Sequence, residues 1–447
     1  MKHAPLLAAL CLCILCCDGV AASPTRVLGA DLSMLPVYEQ AGAIYRNANG
    51  AVQDDPLLFF RDAAGIRCVR VRLFVNPSGE TGVCQDLAFV KDFGRRIKEA
   101  GMAFMLDFHY SDTWADPAKQ YIPRGWPTES AALQKKLYDY TTESLKALVD
   151  AGATPDYIQM GNEISYGMCS MTATYDAAAR KWSDVKKLYP VYTSSHDNWR
   201  TLIDMLNQCA KACREQCPQA KLILHTERAA DAYMTDDIYE RFTLVDYDII
   251  GLSYYPFWHK DLTTLAATLN KLAVQKDTKE VMIVETAYNN AWYPTGQGVY
   301  DYQSTWPASP AGQETFIKAL IAELLKHPNV TGLFYWMPEE NPYGNHVYEP
   351  WLNRGLFANG NGSVGQWDAS KGGGNYALPA LAALRQFTEG QPDGIRAIQD
   401  DGSNASQRSA VQPLNPTRFD LSGRPATSHQ RGITVPQGRK TITHNPH

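Results

Sequence analysis

The sequence predicts a (β/α)8 TIM barrel, an α/β fold in which eight parallel strands alternate with helices. Short apolar runs and amphipathic stretches alternate from Val27 to about Phe387. Eight of the apolar runs read as buried strands, and strands that alternate with helices form a parallel sheet. Several connections after these strands are long and aromatic, which is typical of the βα loops that build a ligand cleft.

The strands are predicted from short apolar runs, and the helices from apolar residues at helical spacing. In chain order the predicted strands are Val27–Asp31, Cys68–Phe74, Met102–Phe108, Tyr157–Gly161, Lys221–His225, Tyr247–Leu252, Val281–Val284 and Gly332–Trp336. The clearest predicted helices are Asp86–Ala100, Glu129–Ala151, Asn198–Cys217, Leu262–Val274 and Gly312–His327. The long connections are His109–Thr128, Ile164–Asp197, Thr286–Pro310 and Met337–Asn375.

Three segments are expected along the 447 residues. Residues 1–22 have a basic start, a short apolar run and the small residues Val20-Ala21-Ala22, the pattern of a cleaved signal peptide, with a buried first helix as the alternative. Residues 23–390 are predicted to form the barrel. Residues 391–447 contain few large apolar residues, which predicts a flexible tail. The tail weakly resembles C-terminal sorting segments of secreted bacterial proteins, and a tail without any role is the alternative.

The net charge and the lengths of the apolar runs limit which partners and which location are expected for this protein. A net charge of −5 offers no electrostatic reason to bind nucleic acid. After the first apolar run, no other is long enough to cross a membrane. Because residues 1–22 are predicted to be a signal peptide, we expect a protein that is secreted or retained at the cell surface. We also expect it to be a monomer.

Six cysteines remain after the predicted cleavage, and in an exported chain they are free to form disulfides. They are Cys68, Cys84, Cys169, Cys209, Cys213 and Cys217. The last three recur every four residues and therefore share one face of a helix. Disulfide bonds or core packing are expected. A zinc site is the alternative, but neither a Cys-x-x-Cys spacing nor an adjacent histidine supports it.

Two glutamates follow predicted strands directly. Glu163 comes after Tyr157–Gly161, and Glu285 comes after Val281–Val284. The carboxyl ends of all strands in a parallel barrel meet at one mouth. A single glutamate there is more often structural, but two on different strands are what acid/base cleavage of a glycosidic bond requires. The sequence therefore predicts a carbohydrate-cleaving site at this mouth.

Further polar and aromatic residues lie at or near the same strand ends. Those predicted to bind substrate are Arg70, Arg72, His109, Asp112, Trp114, Asn162, His225, Tyr255 and Trp336. Arg70 and Arg72 share one strand face, so at the barrel mouth they would hold Glu285 ionised. The loop that contains Asp112 and Trp114 fits hydroxyl recognition better than a catalytic metal. No cofactor is expected to be required, and a structural calcium in a long loop stays open as an alternative.

Several longer motifs resemble the endo-β-1,4-galactanases of glycoside hydrolase family 53. The run from Asp107 to Pro117 reads Asp-Phe-His-Tyr-Ser-Asp-Thr-Trp-Ala-Asp-Pro and is long enough to be specific. Other matching motifs are Gly29-Ala30-Asp31-Leu32-Ser33, Val69-Arg70-Val71-Arg72, Gly161-Asn162-Glu163-Ile164, Ser253-Tyr254-Tyr255-Pro256, Val284-Glu285-Thr286 and Gly332-Leu333-Phe334-Tyr335-Trp336. The resemblance runs in order from about Leu28 to Trp336.

The resemblance implies hydrolysis of internal β-1,4-galactosidic bonds, as in the galactan side chains of pectin, with retention of configuration. It assigns the acid/base role to Glu163 and the nucleophile role to Glu285. Trp114 and Trp336 would stack on sugar rings. The other residues that match cleft positions of the family are Arg70, His109, Asn162, His225 and Tyr255.

The chain departs from the family pattern at three places. His225-Thr226-Glu227-Arg228-Ala229 stands where the family commonly has His-Leu-Asp-Asn-Gly, and Met337-Pro338-Glu339 follows Trp336 where Glu-Pro is usual. The loop after Glu285 lacks the Asp-x-His-x-Asn pattern of calcium-binding members, so a structural calcium has no clear motif. Two alternatives stay open: a related retaining barrel enzyme for mannan or xylan, and a non-catalytic glycan-binding barrel.

Overall fold

The computed structural model describes residues 25–192, 196–276, 279–291, 293–296, 298–340, 352–358 and 375–389. The predicted signal peptide and the predicted tail lie outside these residues. No helix in the described part of the chain is both long enough and apolar enough to span a membrane.

Eight parallel strands close into a barrel, and helices surround it. The barrel strands are β1 Val27–Asp31, β2 Cys68–Leu73, β3 Ala103–Phe108, β4 Tyr157–Met160, β7 Lys221–Thr226, β8 Ile249–Ser253, β9 Glu280–Thr286 and β10 Val330–Trp336; the remaining strands, β5 Met171–Asp176 and β6 Lys181–Lys187, form a separate hairpin. Each barrel strand pairs with its neighbours along the chain, and β10 pairs with β1. The predicted (β/α)8 barrel is confirmed, and each predicted strand overlaps an observed one.

The helices are α1 Leu35–Gln40, α2 Pro56–Ala63, α3 Leu87–Glu99, α4 Ser130–Asp150, α5 His196–Gln216, α6 Ala232–Arg241, α7 Pro256–His259, α8 Leu262–Gln275, α9 Pro310–Leu324 and α10 Pro379–Ala383. Local capping sets where several of them begin. Asp86 accepts a hydrogen bond from the backbone N–H of Phe89 at 2.9 Å, and Asp261 caps α8 in the same way. The five clearest predicted helices correspond to α3, α4, α5, α8 and α9. The remaining helices, α1, α2, α6, α7 and α10, are not among the clearest predictions.

The apolar core has two parts, one inside the barrel and one between the strands and the helices. The inner part contains alternate strand residues such as Met105, Met282 and Phe334. Gly29 is needed in β1, because a Cβ atom there would lie 2.1 Å from the ring of Phe334. Toward the carboxyl ends of the strands, the side chains that point into the barrel become polar. This change from apolar to polar side chains marks the mouth of the barrel.

The six cysteines of the described chain are buried free thiols. Cys209 and Cys213 share the buried face of α5, as their spacing predicts, whereas Cys217 follows the last residue of that helix and is also buried. Of the two expected states, core packing is therefore the one observed. A buried thiol acts as a small apolar side chain, which accounts for its place in the core.

The connection after β4 is an ordered hairpin where the sequence predicted only a long loop. β5 and β6 pair in antiparallel fashion. The indole of Trp182 lies between two partners, with ring centroids 4.7 Å from Tyr175 and 5.1 Å from Tyr121. Its Nε1 donates a hydrogen bond to Glu80 in the loop after β2. These contacts fix the hairpin against the rim of the barrel mouth.

Candidate active site

A cleft of about 470 Å³ opens at the carboxyl ends of the barrel strands. Most of the predicted site residues line it. They are Arg72, His109, Trp114, Asn162, Glu163, Tyr255, Glu285 and Trp336. The structure therefore brings together residues that are up to 264 positions apart in the chain, from Arg72 to Trp336 (336 − 72 = 264).

The backbone at the end of β4 is turned sharply so that Glu163 faces the cleft. Gly161 has a φ of +85°, and a Cβ there would lie 2.7 Å from Ile164. Glu163 itself has a φ of +48°, a left-handed conformation that is uncommon for residues other than glycine. Strain of this kind persists where the surrounding structure imposes it, as at many active sites.

A hydroxyl group and a buried histidine hold the Glu163 carboxyl group in place. Ser253 Oγ donates a hydrogen bond to Glu163 Oε1 at 2.8 Å. His225 Nε2 lies 2.8 Å from the same Ser253 oxygen. Since Ser253 donates its own hydrogen to Glu163, we assign the imidazole hydrogen to Nε2 of His225. Burial lowers the pKa of His225 well below its usual value, so the ring is neutral.

Glu285 has different partners, because a cation and a phenol surround it. Arg70 Nη2 lies 2.9 Å from Glu285 Oε1. Tyr255 donates its hydroxyl hydrogen to Glu285 Oε2 at 3.0 Å. Both contacts stabilise the ionised carboxylate.

Arg70 is fully buried below the cleft and is surrounded by carboxylates. Its guanidinium lies 2.8 Å from Asp31 and 2.8 Å from Asp107, in addition to Glu285. Burial opposes its charge, but the carboxylates of Asp107, Glu285 and Asp31 outweigh this effect and raise the pKa of Arg70. The predicted contact between an arginine of β2 and Glu285 is therefore made by Arg70.

The two glutamates sit in environments that favour different protonation states. Burial, and then the negative charges of Glu285 and Glu227, raise the pKa of Glu163 well above its ordinary value. Burial also raises the pKa of Glu285, but the adjacent Arg70 acts in the opposite direction. Of the two carboxyl groups, Glu163 is therefore the one whose environment favours a proton more, because a cation lies beside Glu285 and not beside Glu163.

Aromatic rings form a wall of the cleft. The ring centroids of Trp114 and Trp336 are 6.3 Å apart, and those of Trp336 and Tyr255 are 6.4 Å apart. The guanidinium of Arg72 lies over Trp114 at 4.7 Å. Such a surface is suited to the apolar C–H face of a pyranose ring.

Polar groups beside this wall are held by backbone contacts. The backbone N–H of Ala115 donates to His109 Nδ1 at 3.1 Å, which leaves Nε2 facing Asp107 at 3.1 Å. Asn162 Nδ2 donates to the carbonyl of Ala115 at 2.8 Å. Since an amide nitrogen carries two hydrogens, Asn162 keeps one for a ligand oxygen.

Three of the predicted site residues do not line the cleft. Arg70 and His225 lie beneath it, where they contact Glu285 and Ser253. Asp112 is buried in the loop after β3, where it accepts hydrogen bonds from Asn76 and Arg124. These contacts hold that loop together, so the structure gives Asp112 no position from which to bind substrate directly.

Several residues of the site were not predicted as site residues from the sequence. Ser253 ends β8 and contacts Glu163, while Gln159 in β4 donates to Asp107 at 2.7 Å. Glu227 and Arg354 line the cleft. Asp31 is the last residue of β1 and Asp107 the last but one of β3, and this position near the strand ends was the signal that could have identified them.

Glu227 stands where the family commonly has aspartate, and it keeps a carboxylate in the cleft wall. Ser165 donates to Glu227 Oε1 at 2.5 Å, and Arg228 pairs with the same oxygen at 2.6 Å. At the other departure, Met337 has a φ of +53°, and Glu339 is buried with its Oε1 accepting from the backbone N–H of Met34. Glu339 is therefore not among the residues that line the cleft.

No group of three or more histidine, cysteine, aspartate or glutamate side chains in the described part of the chain is arranged to hold a metal ion. The expectations about cofactors and calcium stay predictions. The chemistry that the described cleft offers is that of a proton donor and a carboxylate nucleophile beside an aromatic wall.

Comparison with known proteins agrees with this geometry. The family model described as Glycosyl hydrolase family 53 matches residues 27–381. An arabinogalactan endo-β-1,4-galactanase of Cellvibrio japonicus is 35% identical over 335 residues, which are 72% of this chain and 82% of that protein. The enzyme of the same name from Humicola insolens is 32% identical and covers 69% of this chain, with 88% of its own length matched.

Solved structures are similar over the same region. The catalytic domain of a family 53 enzyme from Ignisphaera aggregans has a TM-score of 0.65 at 27% identity, covering 83% of this chain and 98% of that chain. A structure from a study of two fungal β-1,4-galactanases has a TM-score of 0.63 at 30% identity and covers 80% of this chain and 98% of that chain.

Proposed function

Since the chain belongs to glycosyl hydrolase family 53 and is a glycoside hydrolase, we propose that it cleaves internal β-1,4-galactosidic bonds of galactan with retention of configuration. The observation that carries the mechanism is the unlike environment of two carboxyl groups in one cleft. The carboxylate of Glu285 contacts Arg70 and Tyr255, whereas the carboxyl group of Glu163 accepts a hydrogen bond from the neutral hydroxyl of Ser253 and forms no salt bridge among the described residues. Retaining enzymes need this division between a nucleophile and an acid.

In the first step, an oxygen of Glu285 attacks the anomeric carbon and the bond from that carbon to the leaving-group oxygen breaks. Glu163 gives its proton to the departing oxygen, so no alkoxide is released. The anomeric carbon is then bonded to Glu285 as a glycosyl ester. Arg70 and Tyr255 orient the attacking carboxylate, and the raised pKa of Glu163 keeps the proton available near neutral pH.

In the second step, Glu163 acts as the base. It takes a proton from a water molecule, whose oxygen attacks the anomeric carbon as the bond to Glu285 breaks. The proton that Glu163 gave away is thereby restored, and Glu285 is again an ionised carboxylate. Two inversions at one carbon give net retention.

Galactan is proposed as the substrate because of the family membership and the names of the relatives. The wall formed by Trp114, Trp336 and Tyr255 supports binding of a pyranose chain. The first 22 residues support export, and fractionation of the native host, with the mature N-terminus determined by sequencing, tests this part.

The decisive experiment is product analysis on purified polysaccharides. Unbranched β-1,4-galactan should yield oligosaccharides from internal cleavage, and ¹H NMR of fresh products should show the β-anomer first. Arabinogalactan with β-1,3 linkages should be left intact. Faster cleavage of mannan or xylan would replace galactan as the substrate, and initial release of the α-anomer would refute the retaining mechanism.

If none of these polysaccharides is cleaved but galactan binds, the protein is a non-catalytic glycan-binding barrel. The intact pair Glu163 and Glu285 argues against that outcome.

A further inference from the structure

Arg354 is a cleft residue whose guanidinium has no role in the chemistry described so far. It ends a short 3₁₀ helix, Leu352–Arg354, that follows β10 in the chain. Its backbone carbonyl accepts a hydrogen bond from Tyr335 at 2.7 Å and another from Gln313 at 3.3 Å. The backbone position of Arg354 is thus fixed by two buried side chains of the barrel and of α9.

Aromatic rings hold the guanidinium of Arg354 in one orientation. Its central carbon lies 4.7 Å from the ring centroid of Phe257 and 5.9 Å from that of Tyr255. Cation–π contacts of this length are attractive and restrict the side chain. Tyr255 also donates to Glu285, so Arg354 is one residue removed from the predicted nucleophile.

The guanidinium of Arg354 is not neutralised by a neighbouring carboxylate. Its Nε is buried without a hydrogen-bond partner, and no carboxylate among the described residues forms a salt bridge with it. Burial lowers the pKa of Arg354, whereas the carboxylates around Arg70 raise that of Arg70. The Arg354 side chain lines the cleft and is partly exposed, so its charged head can donate to a ligand oxygen, and hydrogen bonds from a charged donor are stronger than those between neutral groups.

The charges of the cleft lining indicate which kind of ligand supplies an acceptor to Arg354. Asp116, Glu227 and Glu285 are acidic residues of this lining, and Arg72 and Lys119 are basic ones. Since both signs are present, the lining as a whole does not select an anion, and a neutral acceptor suits it. A guanidinium is a planar fork of donors that matches two neighbouring oxygens, and adjacent hydroxyl groups of a pyranose present such a pair.

We propose that Arg354 is a substrate-binding residue that donates hydrogen bonds to hydroxyl oxygens of the sugar residue bound beside Tyr255. This inference rests on the proposed function and adds a specificity-determining residue to it. Arg354 holds the sugar against the wall next to Glu285.

Arg72 supports the same interpretation from the other end of the wall. It lies over Trp114, and its Nε and Nη2 are also buried without partners. The contacts from Arg72 through Trp114, Trp336 and Tyr255 to Arg354 therefore form a continuous row with a cation at each end. An oligosaccharide stacked on the rings would have a guanidinium at each end of the row.

The test compares Arg354→Met and Arg354→Lys with wild type. Methionine keeps an aliphatic chain on Phe257 but removes every donor, and lysine keeps the charge but not the fork. We expect Arg354→Met to lower kcat/KM on galactotetraose about 10- to 100-fold, with Arg354→Lys less affected. In a Glu285→Gln background, calorimetry should show a matching weakening of galactotetraose binding.

Arg241→Met is the matched control. Arg241 lies 4.8 Å over Trp199 on the outside of the barrel, so its loss removes a cation–π contact without touching the cleft. We expect wild-type kcat/KM for this variant, and for all three variants a melting temperature within about 2 °C of wild type.

Wild-type kcat/KM and wild-type binding in Arg354→Met would overturn the inference. So would a reduced kcat/KM with unchanged galactotetraose binding in the Glu285→Gln background, because that result assigns no substrate contact to Arg354. If Arg354→Met does not fold, Arg354→Lys decides by the same two measurements. A wild-type enzyme inactive on galactan would instead overturn the proposed function, which separates the two failures.

Discussion

Arg70 shows how a single buried side chain sets the electrostatics of the cleft. It contacts carboxylates from three other strands, those of Asp31, Asp107 and Glu285. Arg70 also donates to Asn162 at 2.9 Å, next to Glu163 in the chain. One guanidinium therefore favours the ionised form of Glu285 and orients Asn162, the residue before the proposed proton donor Glu163.

Substitution of the two glutamates should separate their roles. Glu285→Gln is expected to lower kcat on galactan by at least about 10³-fold, because an amide is not a nucleophile for the anomeric carbon. Glu163→Gln should lose similar activity on galactan but retain more on an aryl β-galactobioside, whose leaving group needs no proton. Steady-state kinetics on both substrates checks this, and an equal loss on both substrates for Glu163→Gln would contradict its role as the acid.

The Tyr255 hydroxyl should affect the pH dependence through Glu285. Its hydrogen bond at 3.0 Å favours the carboxylate and lowers the pKa of Glu285 relative to burial alone. Tyr255→Phe should therefore raise that pKa. Since Glu285 must be ionised to attack, the acidic limb of kcat/KM should move to higher pH, and the maximal rate should fall about tenfold.

A neighbouring tyrosine provides the control for this measurement. The hydroxyl of Tyr254 donates to the carbonyl of Lys260 at 2.9 Å, and the hydrogen bond of Tyr254 to Glu285 joins backbone atoms, which phenylalanine keeps. Tyr254→Phe should leave the acidic limb in place. A shift of the acidic limb to lower pH in Tyr255→Phe would show that the hydroxyl does not stabilise the ionised nucleophile.

At the scale of elements, the turn after β4 and the hairpin β5–β6 differ in how they are held. The turn is constrained by the barrel itself, since Gly161 packs against Ile164 and Met168. The hairpin is mostly exposed and is attached through the stack of Tyr121, Trp182 and Tyr175. An element that buries little apolar surface unfolds locally at low cost.

Trp182→Ala should therefore loosen the hairpin and leave the barrel intact. We expect faster amide hydrogen exchange across residues 171–187 and a melting temperature within about 2 °C of wild type. Mass spectrometry of exchanged peptides measures the first effect and calorimetry the second. Tyr233→Ala, at an exposed tyrosine of α6, is the control and should leave the exchange of the hairpin unchanged. A cooperative drop in barrel stability would show that the hairpin belongs to the same folding unit.

At the scale of the molecule, the last described helices pack against the outside of the barrel. α10 and the 3₁₀ helix Leu384–Phe387 bury Leu381, Leu384 and Phe387. A chain ending at Leu378 loses these side chains, a cost on the order of 5 kcal/mol. A chain ending at Glu389 keeps them and should retain the melting temperature and galactanase activity of the full chain.

Thermal unfolding of the two truncated chains, beside the full chain, measures this difference. Loss of stability in the chain ending at Glu389 would contradict the prediction that residues 391–447 are a tail independent of the barrel.

The barrel fold and the position of two glutamates at its mouth could be predicted from local sequence patterns. Periods of apolar residues are local properties, so the strands that end near Glu163 and Glu285 could be read directly, and parallel topology places their ends at one mouth. The hairpin escaped prediction because its strands are mostly polar and exposed and carry no apolar run.

Which polar residues face the cleft could not be predicted from the sequence, because it depends on contacts that form only in the folded barrel. Asp112 and Arg354 both lie in loops after barrel strands, yet Asp112 pairs with Arg124 while Arg354 lines the cleft on Phe257. Ser253 and His225 likewise acquire their contact with Glu163 across strand neighbours. Such partners are far apart in sequence, and their pairing is set by how the closed barrel packs its loops, which no local pattern encodes.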